Sequence, residues 1–483
     1  MKKSMFKNTI YKALLSFANI VVPLLVGPYI VKLLDIELYG TYNKVYADFQ
    51  LFLTFASFGI YTFGIREISK IRNDKKKVSK LLSNLFIISI LSNLVVGIIY
   101  IIYALTTSSG ITTTLYLIMT IQIVSNVFYI EFVNEALENY RFITLKTLII
   151  KILYMFSLFI FVKKPTDIIV YSIIICLTLF ANNISSFIYA KRKIKFDFSD
   201  IDFKSFIGPL ILVLIITNVD LLYSQLDRVM LGKFVSDVSV TMYYIPYYIV
   251  STLAAIPYSI INVSIPRLSY LIENEGKRGY EDTLNKVVSS LLFIIIPMCM
   301  GIFVLAKEVI FLYAGEKYMA MVPVLMIACI IRIIISIEST MTNLVMYPNN
   351  QEKKIVQFTL ICGILNLLLN SLLIMLNMFN PFTCMLTTGI AEISLSTLLY
   401  YYISKKLKLN YKLFTKQNIL YILLSFAFIP VSLFVRLLNV GFFTTIVIIM
   451  LFCIGLYIGV LYYKKDENLK FILNKFFRKI GRN

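Results

Sequence analysis

Histidine and tryptophan are absent from the 483-residue sequence, and cysteine occurs only six times. Without histidine, the chain lacks the commonest metal ligand and proton shuttle of proteins. The cysteines form no Cys-x-x-Cys pair and all lie within or beside apolar runs, so we interpret them as small buried side chains rather than as disulfides or metal ligands. The sequence therefore predicts no metal site and no cofactor.

A phosphate-binding loop of the pattern Gly-x-x-x-x-Gly-Lys-Ser/Thr is also missing, which excludes ATP hydrolysis by that route. Acidic residues are few, because 26 Asp and Glu stand against 47 Lys and Arg and leave a formal charge of +21. The longest polar loop, about residues 266–286, is too short to form a soluble domain. These absences favour transport over catalysis.

Apolar residues are in large excess. They make up 59% of the chain, and the mean hydropathy is +0.82, whereas soluble domains are about 45–50% apolar. A helix of about 20 apolar residues crosses a bilayer. We therefore expect an all-α integral membrane protein with about fourteen transmembrane helices. The predicted helices lie near 11–33, 45–64, 81–104, 114–137, 143–162, 168–190, 206–231, 242–264, 287–307, 319–343, 356–377, 382–402, 417–437 and 440–463.

Most of the lysines and arginines fall on one side of this predicted topology. They lie in the N-terminus, in the C-terminal tail and in the segments 66–80, 141–151, 191–204, 267–286, 353–354 and 405–416. The positive-inside rule makes this side cytoplasmic, and an even number of helices places both termini there. The basic excess is thus a topology signal with some affinity for anionic membrane lipids. No nucleic-acid partner is expected.

Two pairs of basic residues indicate an internal repeat. Lys32 and Lys233 are 201 residues apart, and so are Arg66 and Arg267. Duplicated bundles are the usual build of alternating-access transporters. We therefore expect two pseudo-symmetric six-helix bundles around a central cavity. Their predicted boundaries are 1–200 and 201–403, and residues 404–483 add two extra helices and a basic cytoplasmic tail.

The first candidate site is a polar stripe on the seventh predicted helix. Its members share about one third of the helix circumference, and they are Thr217, Asp220, Ser224, Asp227 and Arg228. An Asp near the bilayer centre costs about 2.5–3.5 kcal/mol, so the stripe should face protein or water. Arg228 can bind a phosphate while Asp220 or Asp227 couples to a cation. Alternatively, Asp227 and Arg228 form an ordinary pair that orients the helix end.

A second candidate site lies on the tenth predicted helix, where polar residues follow one another at helical spacing. They are Arg332, Ser336, Ser339 and Asn343. An arginine in the middle of a membrane span is expensive, and its guanidinium matches phosphate oxygens bidentately. Arg332 is therefore either a phosphate ligand or the structural counter-ion of Asp220 or Glu338.

Further charged residues are candidates for gating or coupling. They are Glu131, Glu135, Glu138, Arg66, Arg267 and Asp48. The three glutamates and Asn134 form a stripe at the end of the fourth predicted helix. For this stripe we favour a salt-bridge network with Arg141, Lys146, Lys151 or Arg66 over an acidic lip that releases an anionic substrate or a proton acceptor. Asp48 is expected to pair with Lys44, four residues earlier.

Several stretches, taken in order, resemble the Wzx-type polysaccharide flippases of the multidrug/oligosaccharidyl-lipid/polysaccharide (MOP) exporter superfamily. The stretches are VPLLVGPYI at 22–30, YGTY at 39–42, FGIREIS at 63–69, LDRVMLG at 226–232, IPRLS at 265–269, Tyr347-Pro348 with Glu352-Lys353, and Asn366 with Asn370. Within the family, VNEALENY at 133–140 and PRLSY at 266–270 resemble most the teichoic acid branch found in streptococci. The resemblance spans the first twelve predicted helices.

The resemblance implies a V-shaped pair of bundles in a bacterial plasma membrane. It implies that the cargo is an undecaprenyl-pyrophosphate-linked oligosaccharide, which crosses to the outer leaflet by alternating access. A teichoic acid repeat is favoured over a capsular one, and glycan polymerase or ligase machinery is an expected partner. Coupling to H⁺, Na⁺ or the membrane potential is open. The alternatives are a cation-coupled multidrug exporter of the same superfamily and an integral-membrane glycan polymerase or ligase.

Overall fold

The computed structural model describes residues 2–199, 201–218, 221–274 and 276–480, and in these residues the secondary structure is helical. The α-helices are α1 Lys2–Leu33, α2 Ile36–Ser57, α3 Ile60–Ile71, α4 Lys75–Thr107, α5 Gly110–Val127, α6 Glu131–Ala136, α7 Tyr140–Phe161, α8 Ile168–Lys193, α9 Lys204–Asn218, α10 Leu221–Phe234, α11 Asp237–Asn274, α12 Gly276–Val304, α13 Ala306–Ala314, α14 Val322–Met341, α15 Glu352–Met375, α16 Pro381–Lys405, α17 Lys416–Phe426, α18 Phe428–Leu437, α19 Phe442–Tyr463 and α20 Glu467–Ile480. A 3₁₀-helix, Glu316–Met321, precedes α14, and a π-helix, Thr342–Met346, follows it. The predicted all-α fold class is confirmed.

Thirteen helical segments among the described residues are long and apolar enough to cross a membrane. Each overlaps one predicted span, and most begin before it or end after it. The remaining prediction, the seventh span at 206–231, corresponds to α9 and α10. Its apolar part, Lys204–Ile215, is a shorter helix, and residues 219 and 220 lie outside the described residues.

The chain divides into two compact units, Met1–Thr241 and Met242–Asn483. In the first unit, α2 packs against α4, α5 and α10, and α8 packs against α5 and α7. In the second, α14 packs against α12 and α16, and α16 also packs against α15. The boundaries at 200/201 and 403/404 that we expect from the sequence follow the proposed repeat and stay a prediction.

Two of the predicted spans in the first unit are broken helices. The span predicted at 45–64 is interrupted between α2 and α3, where Phe58 and Gly59 adopt left-handed backbone angles, φ 47° and 71°. A Cβ on Gly59 would lie 2.9 Å from the Leu210 carbonyl oxygen, so the close approach of α9 requires glycine there. The span predicted at 114–137 is likewise split, since α5 ends at Val127 and the short helix α6 follows.

The start of α2 and the start of α11 lie 201 residues apart, the same offset as the basic pairs of the sequence. The two helix starts meet inside the first unit. A Cβ on Gly40 of α2 would lie 2.8 Å from the Val238 backbone nitrogen. Asn43 also donates from its Nδ2 to Thr241 Oγ1 at 2.8 Å. A small residue at position 40 thus permits the two backbones to touch.

Within the second unit, polar contacts connect α18 and α19 to α12 and α13. Arg436 of α18 makes a bidentate pair with Glu308 of α13, with Nη1–Oε1 and Nη2–Oε2 distances of 2.6 and 2.9 Å. Tyr457 of α19 donates to the Phe293 carbonyl of α12 at 2.8 Å. These contacts hold α18 and α19 against α12 and α13.

Candidate functional site

Arg332 lies on α14, within the membrane-spanning segment Glu316–Met346, and only 6% of its surface is exposed. Two residues of α11 contact its guanidinium. Nη2 donates to the Ser251 hydroxyl, and the guanidinium carbon lies 5.0 Å from the centre of the Tyr247 ring. The ring face attracts a cation without neutralising it. Arg332 is therefore held in place by uncharged groups.

The charge of Arg332 has no ionic partner in the part of the chain that the structure describes. One predicted counter-ion, Asp220, lies outside the described residues. The other, Glu338, accepts a hydrogen bond from Thr342. Taking a charge out of water costs several kcal/mol unless an opposite charge or good hydrogen bonds compensate it. Among the described residues, Arg332 is therefore a buried cation whose contacts are with neutral groups.

The other polar residues predicted beside Arg332 form most of their hydrogen bonds with residues of α14. Ser336 is buried, donates to the Arg332 carbonyl at 2.7 Å and contacts the Tyr258 hydroxyl at 3.3 Å. Asn343 lies in the π-helix and donates to the carbonyl and hydroxyl oxygens of Ser339 at 2.9 and 3.0 Å. Ser336 therefore extends the Arg332 surroundings toward α11, whereas the Asn343 donor group is occupied by Ser339.

On α10, Asp227 and Arg228 are both buried. Arg228 donates to the side-chain oxygen of Gln225, one turn earlier. Both residues make further interactions inside the molecule. Asp220 and the side chains of Thr217 and Ser224 lie outside the described residues.

Asp48 lies on α2, and its expected pairing with Lys44 is wrong. The Lys44 Nζ is 2.9 Å from Asp237 Oδ1, at the start of α11. The buried Asp48 carboxylate instead accepts hydrogen bonds from the hydroxyls of Tyr116 and, at 3.4 Å, Tyr103. Spacing along one helix predicted the nearer partner, but the tertiary contact with α11 provides a better placed carboxylate for the lysine.

Glu131 is buried in an ion pair, as the salt-bridge interpretation predicted. Lys146 Nζ lies 3.0 Å from Glu131 Oε1 and donates to Ser186 Oγ at 2.6 Å and to the Asn182 carbonyl at 3.4 Å. Ser186 in turn donates to the other Glu131 oxygen. Four polar groups from α6, α7 and α8 thus compensate one another inside the first unit.

Glu131, Asn134 and Glu135 of the predicted acidic stripe stay on the short helix α6, but Glu138 leaves it because α6 ends at Ala136 and Glu138 adopts a positive φ of 58°. Glu135 accepts from the Tyr61 hydroxyl at 2.9 Å. Glu138 is exposed and pairs with Arg72 at 2.8 Å. A single four-residue face, as predicted from helical spacing, is therefore wrong.

The two repeat arginines lie at the surface. Arg66 is exposed, pairs with the adjacent Glu67 at 2.8 Å and lies 5.6 Å from the centre of the Phe63 ring. Arg267 is exposed on α11. Neither is enclosed by protein in the way that Arg332 is.

The hydroxyl and ring partners of the buried charges Arg332 and Asp48 were not predicted from the sequence. Tyr247 and Ser251 lie four residues apart on α11, and both contact Arg332. Tyr103 of α4 and Tyr116 of α5 both donate hydrogen bonds to Asp48. The i, i+4 spacing of Tyr247 and Ser251 in an apolar span was an available signal.

The fold is that of known membrane transporters. It aligns with a lipid II flippase, MurJ in an inward closed conformation, at a TM-score of 0.72 and 16% identity, covering 95% of this chain and 99% of the other. It also aligns with an outward-facing multidrug resistance MATE family transporter of the MOP superfamily, at a TM-score of 0.58 and 10% identity, covering 82% and 95% of the two chains. These similarities show that the chain has the all-helical fold of these transporters.

The sequence comparisons define the family. The model of the polysaccharide biosynthesis protein family matches residues 5–272, more than half of the chain. A Shigella dysenteriae protein assigned as an O-antigen transporter is 24% identical over 383 residues, which are 75% of this chain and 91% of that protein. The chain belongs to the polysaccharide biosynthesis protein family. The predicted Wzx-type family is confirmed, and so is the prediction of a transporter rather than an enzyme.

Proposed function

We propose that the chain flips undecaprenyl-pyrophosphate-linked glycan repeat units from the inner to the outer leaflet by alternating access. The observation that supports this proposal most is Arg332, a buried cation in a membrane span whose partners are neutral. A pyrophosphate provides the missing negative charge. Its oxygens match the planar guanidinium in a bidentate arrangement.

The physical task explains why such a residue is useful. A glycan with many hydroxyls cannot cross about 30 Å of hydrocarbon unaided. A hydrated passage replaces the water around the glycan, arginine binds the pyrophosphate, and the polyprenyl tail stays in lipid. Arg228, Asp227 and the neighbouring Asp220 and Ser224 are the proposed lining of the same pathway, together with Asn343.

For the cargo we favour a teichoic acid repeat, on the resemblance of residues 133–140 and 266–270, with a capsular repeat as the alternative. The O-antigen assignment of the Shigella relative supports a lipid-linked glycan in either case. Membrane lipids and glycan polymerase or ligase machinery are the proposed partners. We place both termini in the cytoplasm. Reporter domains that fold only on one side, fused to the C-terminus, test that orientation.

Energy for the transport step can come from the membrane potential, at about 2.3 kcal/mol per charge per 100 mV, because an anion moves toward the positive outside. Coupling to H⁺ or Na⁺ is the other proposal, with Asp48 as the best placed carboxylate because its donors are tyrosine hydroxyls. The Asp48→Asn variant should fold normally and lose any dependence of transport on the proton or sodium gradient. Unchanged gradient dependence would remove Asp48 from coupling.

Conditional depletion in the native bacterium tests the proposed function. Complete lipid-linked repeats should accumulate on the inner leaflet, where they stay inaccessible to reagents added outside. Unfinished repeats would indicate a role in synthesis, and normal repeats with altered drug sensitivity would indicate a drug exporter. Either of these outcomes would reject the proposal.

A further inference from the structure

A second basic site lies in the first unit, far along the chain from Arg332. It is a cavity of about 370 Å³ where the turn between α3 and α4, the segment after α6 and the end of α8 meet. Three cations and three apolar side chains line it, namely Arg72, Lys75, Lys193, Val78, Leu137 and Ile194. The cavity therefore combines a positive rim with an apolar floor.

The floor has a fixed shape because it belongs to the packed interior. Val78 and Ile194 are almost completely buried, and Leu137 packs against the same cluster of core residues. Side chains in such a core are close-packed and keep their positions. The cavity is thus a part of the folded unit and not a gap between mobile surface side chains.

The charges around the cavity leave it positive. Arg72 is neutralised by Glu138 at 2.8 Å. Lys193 Nζ lies 3.3 Å from the side-chain oxygen of Asn139 and 4.4 Å from the centre of the Tyr189 ring, and both of these groups are neutral. Lys75 is exposed, and within the described residues no side chain pairs with it.

The carboxylate of Asp74, next to Lys75 in the chain, is already engaged. It caps α4 by accepting hydrogen bonds from the backbone N–H groups of Lys76 and Lys77. The pKa of Asp74 lies below its ordinary value, chiefly because of the hydrogen bond from the Lys77 backbone. It therefore stays ionised as a helix cap, and among the described residues no carboxylate forms an ion pair with Lys75 or Lys193.

We propose that this cavity binds the phosphate of an anionic membrane lipid. It lies at the ends of two membrane-spanning segments, Lys75–Thr107 and Ile168–Lys193, where lipid headgroups meet the protein. Lysine and arginine at this level attract phosphate headgroups. The apolar floor accommodates the first carbons of the acyl chains, while Lys75 and Lys193 contact the phosphate. The site is independent of the proposed glycan transport, because none of its residues is in the candidate substrate site.

Native mass spectrometry of the purified full-length protein tests this proposal with phosphatidylglycerol as the probe. The Lys75→Gln/Lys193→Gln variant should bind one fewer lipid, with at least about a tenfold loss of affinity at that site. The matched control is Lys76→Gln/Lys191→Gln, which removes the same charge from the same two helices outside the cavity. The control should keep affinity close to that of the wild type.

Two further probes distinguish the source of the phosphate. Inorganic phosphate and undecaprenyl pyrophosphate are each added in competition with phosphatidylglycerol. Weak competition by both supports a membrane phospholipid. Strong competition by inorganic phosphate would assign the site to free phosphate, and strong competition by undecaprenyl pyrophosphate would assign it to the cargo; either result would overturn the proposal of a separate membrane-lipid site. Equal losses in the two double variants would overturn the proposal, because the attraction would then be a property of the whole basic surface. No loss in either variant would also overturn it, because Lys75 and Lys193 would then not bind the lipid. All the substitutions replace exposed lysines, so folding should be unaffected.

Discussion

Two buried cations in membrane-spanning helices have opposite surroundings. Lys146 of the first unit is 7% exposed and Arg332 of the second unit is 6% exposed. Lys146 contacts the carboxylate of Glu131, a serine hydroxyl and a backbone carbonyl. Arg332 contacts a serine hydroxyl and a tyrosine ring. The difference teaches that two equally buried cations can have partners of different kinds, a carboxylate for Lys146 and neutral groups for Arg332.

The two surroundings imply different energetic roles. Removing one member of a buried ion pair leaves an uncompensated charge and costs about 3–5 kcal/mol, while replacing both by apolar residues is often neutral or stabilising. Arg332 has no such partner to lose among the described residues. Its removal should therefore relieve a desolvation cost in the empty transporter and affect only the binding of an anion.

The largest effect is expected from Arg332→Met. This variant should abolish complementation of a depletion strain while reaching the membrane with an unchanged or higher melting temperature, because it removes the proposed pyrophosphate ligand. Arg332→Lys keeps the charge without the planar fork and should retain part of the activity. Complementation, membrane abundance and thermal unfolding of the purified protein are the measurements. Full complementation by Arg332→Met would contradict the proposed role of Arg332 as a phosphate ligand, in contrast to the structural role of Lys146.

The next effect sharpens the comparison from the other side. Glu131→Leu should destabilise the protein by about 3–5 kcal/mol, because Lys146 is left buried without its carboxylate. The double variant Glu131→Leu/Lys146→Met should recover most of that loss and complement the depletion strain. Thermal unfolding in detergent measures the loss of stability in the single variant and its recovery in the double variant. A double variant that is stable but inactive would show that the pair has a role in transport, contrary to our interpretation.

The smallest effect is expected at the third charged cluster, the pair of Arg436 and Glu308. The Glu308 side chain is 5% exposed, but the Arg436 side chain is 33% exposed, so water can reach the arginine. Glu308→Leu leaves this partly hydrated arginine as the unpaired charge, so it should cost only about 1–3 kcal/mol and leave transport close to normal. A loss as large as that of Glu131→Leu would contradict the ranking of the pairs by exposure.

The transmembrane helices could be predicted because their length is set by the membrane. Each long apolar run in the sequence corresponds to a helical segment, and thirteen of these meet the criteria for a span. The breaks inside the spans could be foreseen only in part. Gly59 marks the break after α2, but the residues between α5 and α6, Phe128, Tyr129 and Ile130, include neither glycine nor proline. The latter break depends on tertiary packing.

The candidate residues were visible in the sequence, but their partners were not. Arg332 and Glu131 are conspicuous because charges are rare in apolar runs. Whether a charge is neutralised depends on residues far away in the chain. Lys44 was expected to pair with Asp48 and pairs with Asp237, and the Glu308 partner of Arg436 is separated from it by more than a hundred residues. Helical spacing predicts neighbours on one helix and gives no information about such contacts.

The most direct test of the central claim is the binding of an undecaprenyl-pyrophosphate-linked repeat to purified wild-type and Arg332→Met protein. If Arg332 is the phosphate ligand, the variant should bind the lipid-linked repeat at least about tenfold more weakly without any loss of thermal stability. Equal affinities for the two proteins, with both folded, would contradict the account.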